Sequence, residues 1–304
     1  MNPHAIQTVE LEKASNIKLL MLKFLFKKAN KTTPIKLPRT EFCLPDICIQ
    51  SNKVALFQKV VNWQGEHLHP CYIHTLAFPL HLQLLLQPEF PFPLLGLVHV
   101  ENSIQQYRPI ELSENLELTC RLADLTAHHK GWLFSVITDC TSNDELVWSS
   151  VSVNLYRTKH QIQVDEIAKK PVPEFSVDSL TVDWNLATNL GRLYAKSSGD
   201  YNPIHLAKWS AKLFGFQQHI IHGMWTKSRC LSELQKQYPA AFAKAFSVQV
   251  GFKLPLFLPG KVSMLQTSTS NKSKGEIDFK VQTQINQNES SPHLIGSIQF
   301  TDII

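Results

Sequence analysis

Cysteine is scarce and scattered. Six residues among 304, at no repeating interval, are too few and too irregular for a disulfide scaffold. Cys43 and Cys48 lack a second close pair, so no structural zinc is expected. Net charge is thin as well: 30 Lys and Arg against 25 Asp and Glu leave +5. That excess suits an anionic small molecule or an acidic protein partner, but it is too small for a nucleic-acid surface. No apolar run reaches the roughly eighteen residues of a bilayer span, so no integral membrane segment is expected. The opening MNPHAIQTVELEKASN shows no basic region leading to an apolar stretch and a small-residue cleavage site. With the unpatterned cysteines, this predicts a cytoplasmic, reducing setting. The run KLLMLKFLFKK, Lys18 to Lys28, is broken by lysines and followed by TTPIKLP. It reads as a packed element at a domain edge rather than a membrane-surface helix.

What is abundant is core. Hydrophobic residues make up 43% and charged residues 18%, which excludes general disorder, and 304 residues suffice for two ordinary domains. Two strand-rich blocks follow one another. In the first, apolar and polar residues alternate around Leu116, Leu118 and Cys120, and again at Val151, Val153 and Leu155. In the second they alternate at Ile277, Phe279 and Val281. Placing Pro109 on Pro255 brings Ile104 onto Val250, Ile110 onto Leu256 and Leu116 onto Val262. Upstream, Leu56, Phe57 and Lys59 fall on Leu193, Tyr194 and Lys196. The preserved order indicates a duplicated unit of about 140 residues. Each copy carries an apolar helix ahead of its strands, near 73–87 and 223–237, and such a helix must be enclosed. The expected architecture is α+β: a bent antiparallel sheet around a central helix, twice. The expected domains are 1–160 and 191–304, with 161–190, including KKPVPEFS, as linker and lead-in.

The chemistry concentrates after Gly191. Asp200, Asn202, Pro203 and His205 spell D-x-N-P-x-H. Pro203 restrains Asn202 toward extended backbone, so one short loop can aim a carboxylate and an imidazole at one point. A carboxylate and an imidazole sharing one water are the minimum equipment for adding or removing water across an activated double bond. Asn202 is expected to hold the loop; the competing reading of the motif is a simple Asx-turn beside a surface histidine. Downstream, Gly223 opens a helix, where an amide without a helical partner can face a developing oxyanion. His222 is read as structural or substrate-contacting, His219 as structural.

These residues carry a strong resemblance to the MaoC-like dehydratases, which include the R-specific enoyl-CoA hydratases and share the hot-dog fold. The hydratase pattern Y-x-x-x-S-G-D-x-N-P-x-H with a downstream H-G-M is written here by Tyr194, Ser198, Gly199, Asp200, Asn202, Pro203 and His205, then His222, Gly223 and Met224. The resemblance implies a double hot-dog joined as a pseudo-dimer, with Asp200 and His205 as catalytic pair and Gly223 as oxyanion donor. Tyr194, Ser198, Asn202, Pro203, His222 and Met224 would bind substrate or position the loop. It implies a hydro-lyase of fatty acid metabolism, interconverting trans-2-enoyl and (3R)-hydroxyacyl thioesters without cofactor or metal. The partner would be acyl-CoA or acyl carrier protein, whose phosphopantetheine belongs to the substrate. A hot-dog thioesterase and a non-catalytic acyl-thioester binder are the alternatives, and the chain would be a monomer or homodimer. Lys196, Lys208, Lys212, Lys227 and Arg229 are candidates for attracting carrier phosphates. The N-terminal copy departs from the pattern: Trp63 stands at the position of Asp200, and Asn62 at that of Gly199. It is read as a degenerate partner domain. Glu66, His67 and His69 lack a convincing arrangement for a metal.

Overall fold

A computed structural model describes residues 6–30, 34–158, 162, 175, 179–267, 275–284 and 290–301. In chain order the first elements are β1 (Gln7–Glu10), α1 (Ile17–Phe26), β2 (Thr40–Cys48), α2 (Ser51–Val61) and α3 (Tyr72–Leu86). Four strands follow: β3 (Leu97–Gln106), β4 (Asn115–His128), β5 (Gly131–Ser142) and β6 (Glu145–Arg157). The C-terminal half has β7 (Leu180–Leu186), α4 (Leu190–Ser198), α5 (Lys208–Lys212), α6 (Gly223–Gln237) and α7 (Pro239–Phe242). It ends with β8 (Phe246–Phe252), β9 (Gly260–Gln266), β10 (Glu276–Gln284) and β11 (Ser290–Phe300).

Contacts divide the chain into two compact units that interleave in sequence. One comprises Met1–Ile49, Ile73–Asn102 and Ser113–Ala168; the other comprises Gln50–Tyr72, Ser103–Leu112 and Lys169–Ile304. The boundaries read from composition run consecutively, whereas the packing exchanges segments. The reason lies in α2, which buries Val54, Phe57 and Val61 and sets the Phe57 ring 5.9 Å from that of Tyr194 in α4. Inside 161–190, β7 is a full strand paired with β9 from Leu180–Gln266 to Leu186–Gly260. Apart from Phe175, KKPVPEFS lies outside the described residues.

In the first unit, neighbouring strands run β1-β2-β4-β5-β6-β3. Pairing is antiparallel from β2 through β4 and β5 to β6, and β1 joins β2 in parallel. The central helix α3 runs through Pro79. A proline there forfeits a backbone bond and costs about 3 kcal/mol in an open helix. Enclosure outweighs it: Ala77, Leu80, Leu82 and Leu84 are all buried, and burying each leucine contributes about 1.5–3 kcal/mol. His81 ties the helix to β5 through Nε2 and Thr138 Oγ1 at 2.7 Å. Alternation on β6 differs from expectation. Ser150 and Ser152 are buried, while Val151 and Val153 are half-buried. Asn102 Nδ2 donates to both serine hydroxyls (3.0 and 3.1 Å), which removes the penalty for burying them.

In the second unit the order is β8-β11-β10-β9-β7, antiparallel throughout. Val248, Val250, Ile277, Phe279, Val281, Leu294 and Ile298 form its core with Leu231 and Leu234 of α6. The polar back of α6 is enclosed as well. Ser228 and Ser232 are fully buried, and each hydroxyl donates to a helical carbonyl one turn back, Met224 (2.7 Å) and Ser228 (3.0 Å). Each unit is thus a mainly antiparallel sheet packed on one long helix, and the fold is a double hot-dog.

Candidate active site

The site begins where α4 stops. Gly199 caps the helix at φ +80°, a left-handed conformation glycine adopts without a Cβ penalty, and its N–H donates to Ala195 O. The chain then makes two side-chain turns in succession. Asp200 N–H donates to Ser198 Oγ (3.3 Å), Asn202 N–H to Asp200 Oδ1 (3.1 Å), and Ile204 N–H to Asn202 Oδ1 (3.3 Å). The last bond caps a single 3-10 turn, Pro203–His205, with Pro203 at its first position. Ser210 Oγ donates to the Pro203 and Ala207 carbonyls, locking α5 onto the loop. The Asx-turn reading of the motif is therefore correct locally, and the second oxygen of the same aspartate lies 3.8 Å from His222 Nε2.

His205 is buried. Its Nδ1 lies 2.9 Å from Ile220 O, and a carbonyl only accepts, so Nδ1 carries the proton and Nε2 offers a lone pair. His222 follows the same logic. Its Nε2–H donates to Asp200 O at 3.0 Å, and the buried Nδ1 has no hydrogen-bond partner among the described residues. The two rings stack with centroids 3.6 Å apart and planes 27° apart. Tyr194, buried on α4, sets its ring 4.9 Å from His222 and its hydroxyl on Ser228. One ligand atom each of Asp200, His205 and His222 lies within 4.8 Å of the others.

Electrostatics follows burial. Desolvation above all, together with the neighbouring His222, lowers His205 to about 3 against the opposing Asp200 charge and the bond to Ile220 O. His222 is lowered to about 4, again by burial. The Asp200 carboxyl, 28% exposed, is pushed above its ordinary value by burial, against His205 and the Asn202 N–H. Two neutral imidazoles thus adjoin a carboxylate of raised basicity.

Gly223 is the first residue of α6, with His222 at the N-cap. A Cβ there would meet the Phe252 ring at 2.9 Å, so the glycine is required by that ring as well as by the expected approach of substrate. Met224 is buried in the same turn. His219 Nε2–H donates to Thr188 O at 2.7 Å and is structural. Two of the suggested phosphate-attracting residues are corrected. Lys227 is fully buried, its amine lowered to about 8 by desolvation. Arg229 is committed to Glu233 at 2.6 Å. Helix α6 is enclosed on its polar side too, so helical spacing could not reveal this. Lys196, Lys208 and Lys212 are exposed.

At the corresponding place in the other copy, Trp63 is packed rather than reactive. Its ring lies 4.5 Å from His69 and its Nε1–H donates to His67 O. His69 spends both nitrogens, accepting from Cys71 N–H and donating to Ser228 O. His67 pairs with Glu111 at 2.9 Å. Two residues escaped the sequence reading. The Ile220 carbonyl fixes the His205 tautomer, and Gly191 lets α4 approach the loop: a Cβ there would lie 2.1 Å from His205 O. Any residue supplies a carbonyl, so Ile220 left no signal; Gly191 at a helix start was the visible trace of the other.

A double hot-dog thus brings a carboxylate and imidazoles together at a proline-restrained loop. Residues 172–289 match the model of the MaoC like domain. Over 286 residues the chain is 27% identical to 3-hydroxyacyl-thioester dehydratase X of Mycobacterium tuberculosis, covering 91% of this chain and 97% of that protein. The crystal structure of HtdX of Mycobacterium tuberculosis superposes with a TM-score of 0.70 at 26% identity, covering 86% of this chain and 99% of that one. An (R)-specific enoyl-CoA hydratase of Aeromonas caviae is 33% identical over 70 residues, 23% of this chain and 52% of that protein. Residues 172–289 thus carry a MaoC like domain, and the chain over most of its length is similar to a 3-hydroxyacyl-thioester dehydratase.

Proposed function

We propose that the chain is a hydro-lyase that interconverts trans-2-enoyl and (3R)-3-hydroxyacyl thioesters, with Asp200 and His205 as its acid–base pair. The observation that carries the reading is the fixed tautomer of His205. With Nδ1–H held by Ile220 O, Nε2 can accept from a water whose other hydrogen goes to Asp200. One ligand atom from each of Asp200 and His205 lies within 4.8 Å of the other, a reach that one water making two bonds of about 2.8 Å covers. As the water oxygen bonds to C3, the pair takes a water proton and the C2–C3 π electrons move toward the carbonyl. The pair then returns a proton to C2. His205 at rest carries no proton on Nε2, so the proton reaching C2 comes from water through the pair. Gly223 N–H, in the first turn of α6, offers positive charge to the thioester oxygen. Tyr194 and His222 wall the pair; Ser198, Asn202 and Pro203 hold its loop, and Met224 packs the turn that presents Gly223. The reaction is redox-neutral and its balance calls for neither metal nor redox cofactor. Acyl-CoA or acyl carrier protein delivers the substrate, in the cytoplasm, to a monomer or homodimer.

Purified protein is expected to convert trans-2-enoyl-CoA into (3R)-hydroxyacyl-CoA without thiol release, followed by chiral product analysis and a thiol reagent together. Rapid thiol release without hydration would instead support a thioesterase; binding without turnover would support a scaffold.

The acid side of the pH profile is a second test. Protonating Asp200 removes the base, so kcat/KM is expected to fall with unit slope on an acid limb above an ordinary aspartate's pKa. His205, held near 3, adds no limb between about pH 5 and 9. A limb near 6.5 that vanishes on changing His205 would refute this. Stability must be followed in parallel. His69, His205 and His222 are lowered to about 3, 3 and 4, so below about pH 6.5 the unfolded chain binds more protons and folding free energy declines.

A further inference from the structure

Helix α1 lies outside this chemistry. Leu20, Met21 and Phe24 are buried and fasten it to the first unit. Leu19, Leu22 and Phe26, at i, i+3 and i+7, share the opposite face and are 51%, 55% and 73% exposed. Exposed Lys18 and Lys23 flank that apolar strip, and exposed Lys28 follows its end. Between Lys13 and Lys28 stand five lysines and no acidic residue, as much positive charge as the +5 net of the entire chain. Beside the strip opens a cavity of about 650 Å³ lined by Leu22, Phe26, Phe42, Leu86, Lys23 and Lys27. Lys27 is partly engaged, its Nζ donating to Gln87 O at 2.7 Å.

We propose that this face of α1 docks on the surface of an anionic lipid bilayer, with Leu19, Leu22 and Phe26 entering the headgroup–acyl boundary and Lys18, Lys23 and Lys28 meeting lipid phosphates. The sequence reading of KLLMLKFLFKK as an edge element holds for one side of the helix, and the other side is free for a surface. A second copy is a poor occupant, because an isologous contact would set lysines against lysines. An acidic protein would meet the lysines, but the strip between them is wholly apolar, and the polar side chains beside it already bond within the protein, Gln83 to Ser15 and Gln87 to Leu84 O. A fluid interface asks only for apolar area and charge, and both signals are present.

The full-length protein is tested by co-sedimentation with phosphatidylcholine vesicles, with and without about 30 mol % phosphatidylglycerol. Binding to the anionic vesicles is expected, with a partition at least about tenfold weaker for neutral vesicles, for Leu22→Ser/Phe26→Ser and for Lys18→Glu/Lys23→Glu. All four positions are exposed, so both variants should retain wild-type melting and wild-type hydration of a short, soluble enoyl-CoA. Absence of wild-type binding to anionic vesicles would overturn the proposal, as would undiminished binding by both variants. A concentration-dependent dimer, or a complex with acyl carrier protein, that these substitutions abolish while vesicles do not bind would overturn it in favour of that occupant.

Discussion

Asp200→Asn and His205→Ala are each expected to lower turnover by about 10²–10⁴-fold, equivalent to about 3–5.5 kcal/mol of transition-state stabilisation. The aspartate substitution is the cleaner of the two. Asn keeps an Oδ1 to accept from Asn202 N–H, and the bond from His222 Nε2 goes to the backbone oxygen of residue 200. The loop therefore survives while the base is lost. Removing the His205 ring also strips the stack from His222 and leaves Ile220 O without its donor. Steady-state kinetics with a melting curve separate lost chemistry from lost fold. The matched control is Trp63→Phe, which sacrifices one bond to His67 O but keeps a ring beside His69 and Phe242. It should cost about 1 kcal/mol in stability and leave turnover within about twofold. Unchanged turnover for folded Asp200→Asn would remove the aspartate from the mechanism.

Gly191→Ala is expected to damage catalysis without touching a reacting group. The added methyl would sit 2.1 Å from His205 O and 3.2 Å from its carbonyl carbon. Either α4 or the 3-10 turn must move, and both are backbone, so no flexible side-chain end can give way. Overpacking of this kind costs about 1–3 kcal/mol. A displacement near 1 Å of the imidazole is enough to lower turnover about 100-fold. Binding should change less, because remote contacts to the acyl carrier are retained, so kcat should fall more than KM rises. A variant with wild-type kcat and a lowered melting temperature would show that the loop tolerates the shift and that Gly191 serves folding alone.

The sequence by itself determined the parts of this protein that are local. Asp200, Asn202 and His205 fall within six residues, and the turn chemistry of Asn and Pro is a property of neighbours, so the loop could be read before it was seen. The central helices were legible for a related reason. Runs as apolar as 73–87 have to be enclosed, and α3 and α6 fall at Tyr72–Leu86 and Gly223–Gln237. Tertiary structure decided what depends on contacts distant along the chain. Which nitrogen of His205 holds the proton is set by a carbonyl fifteen residues away. Lys227 became a buried amine because α6 is covered on its polar side as well. Segment 50–72 packs with the C-terminal unit, since α2 finds its apolar partner in α4. In α1 the composition showed apolar residues and lysines, but only packing divided them into a fastened face and an open one. Backbone preference acts over a few residues; burial, tautomer and close approach are fixed only when remote segments meet.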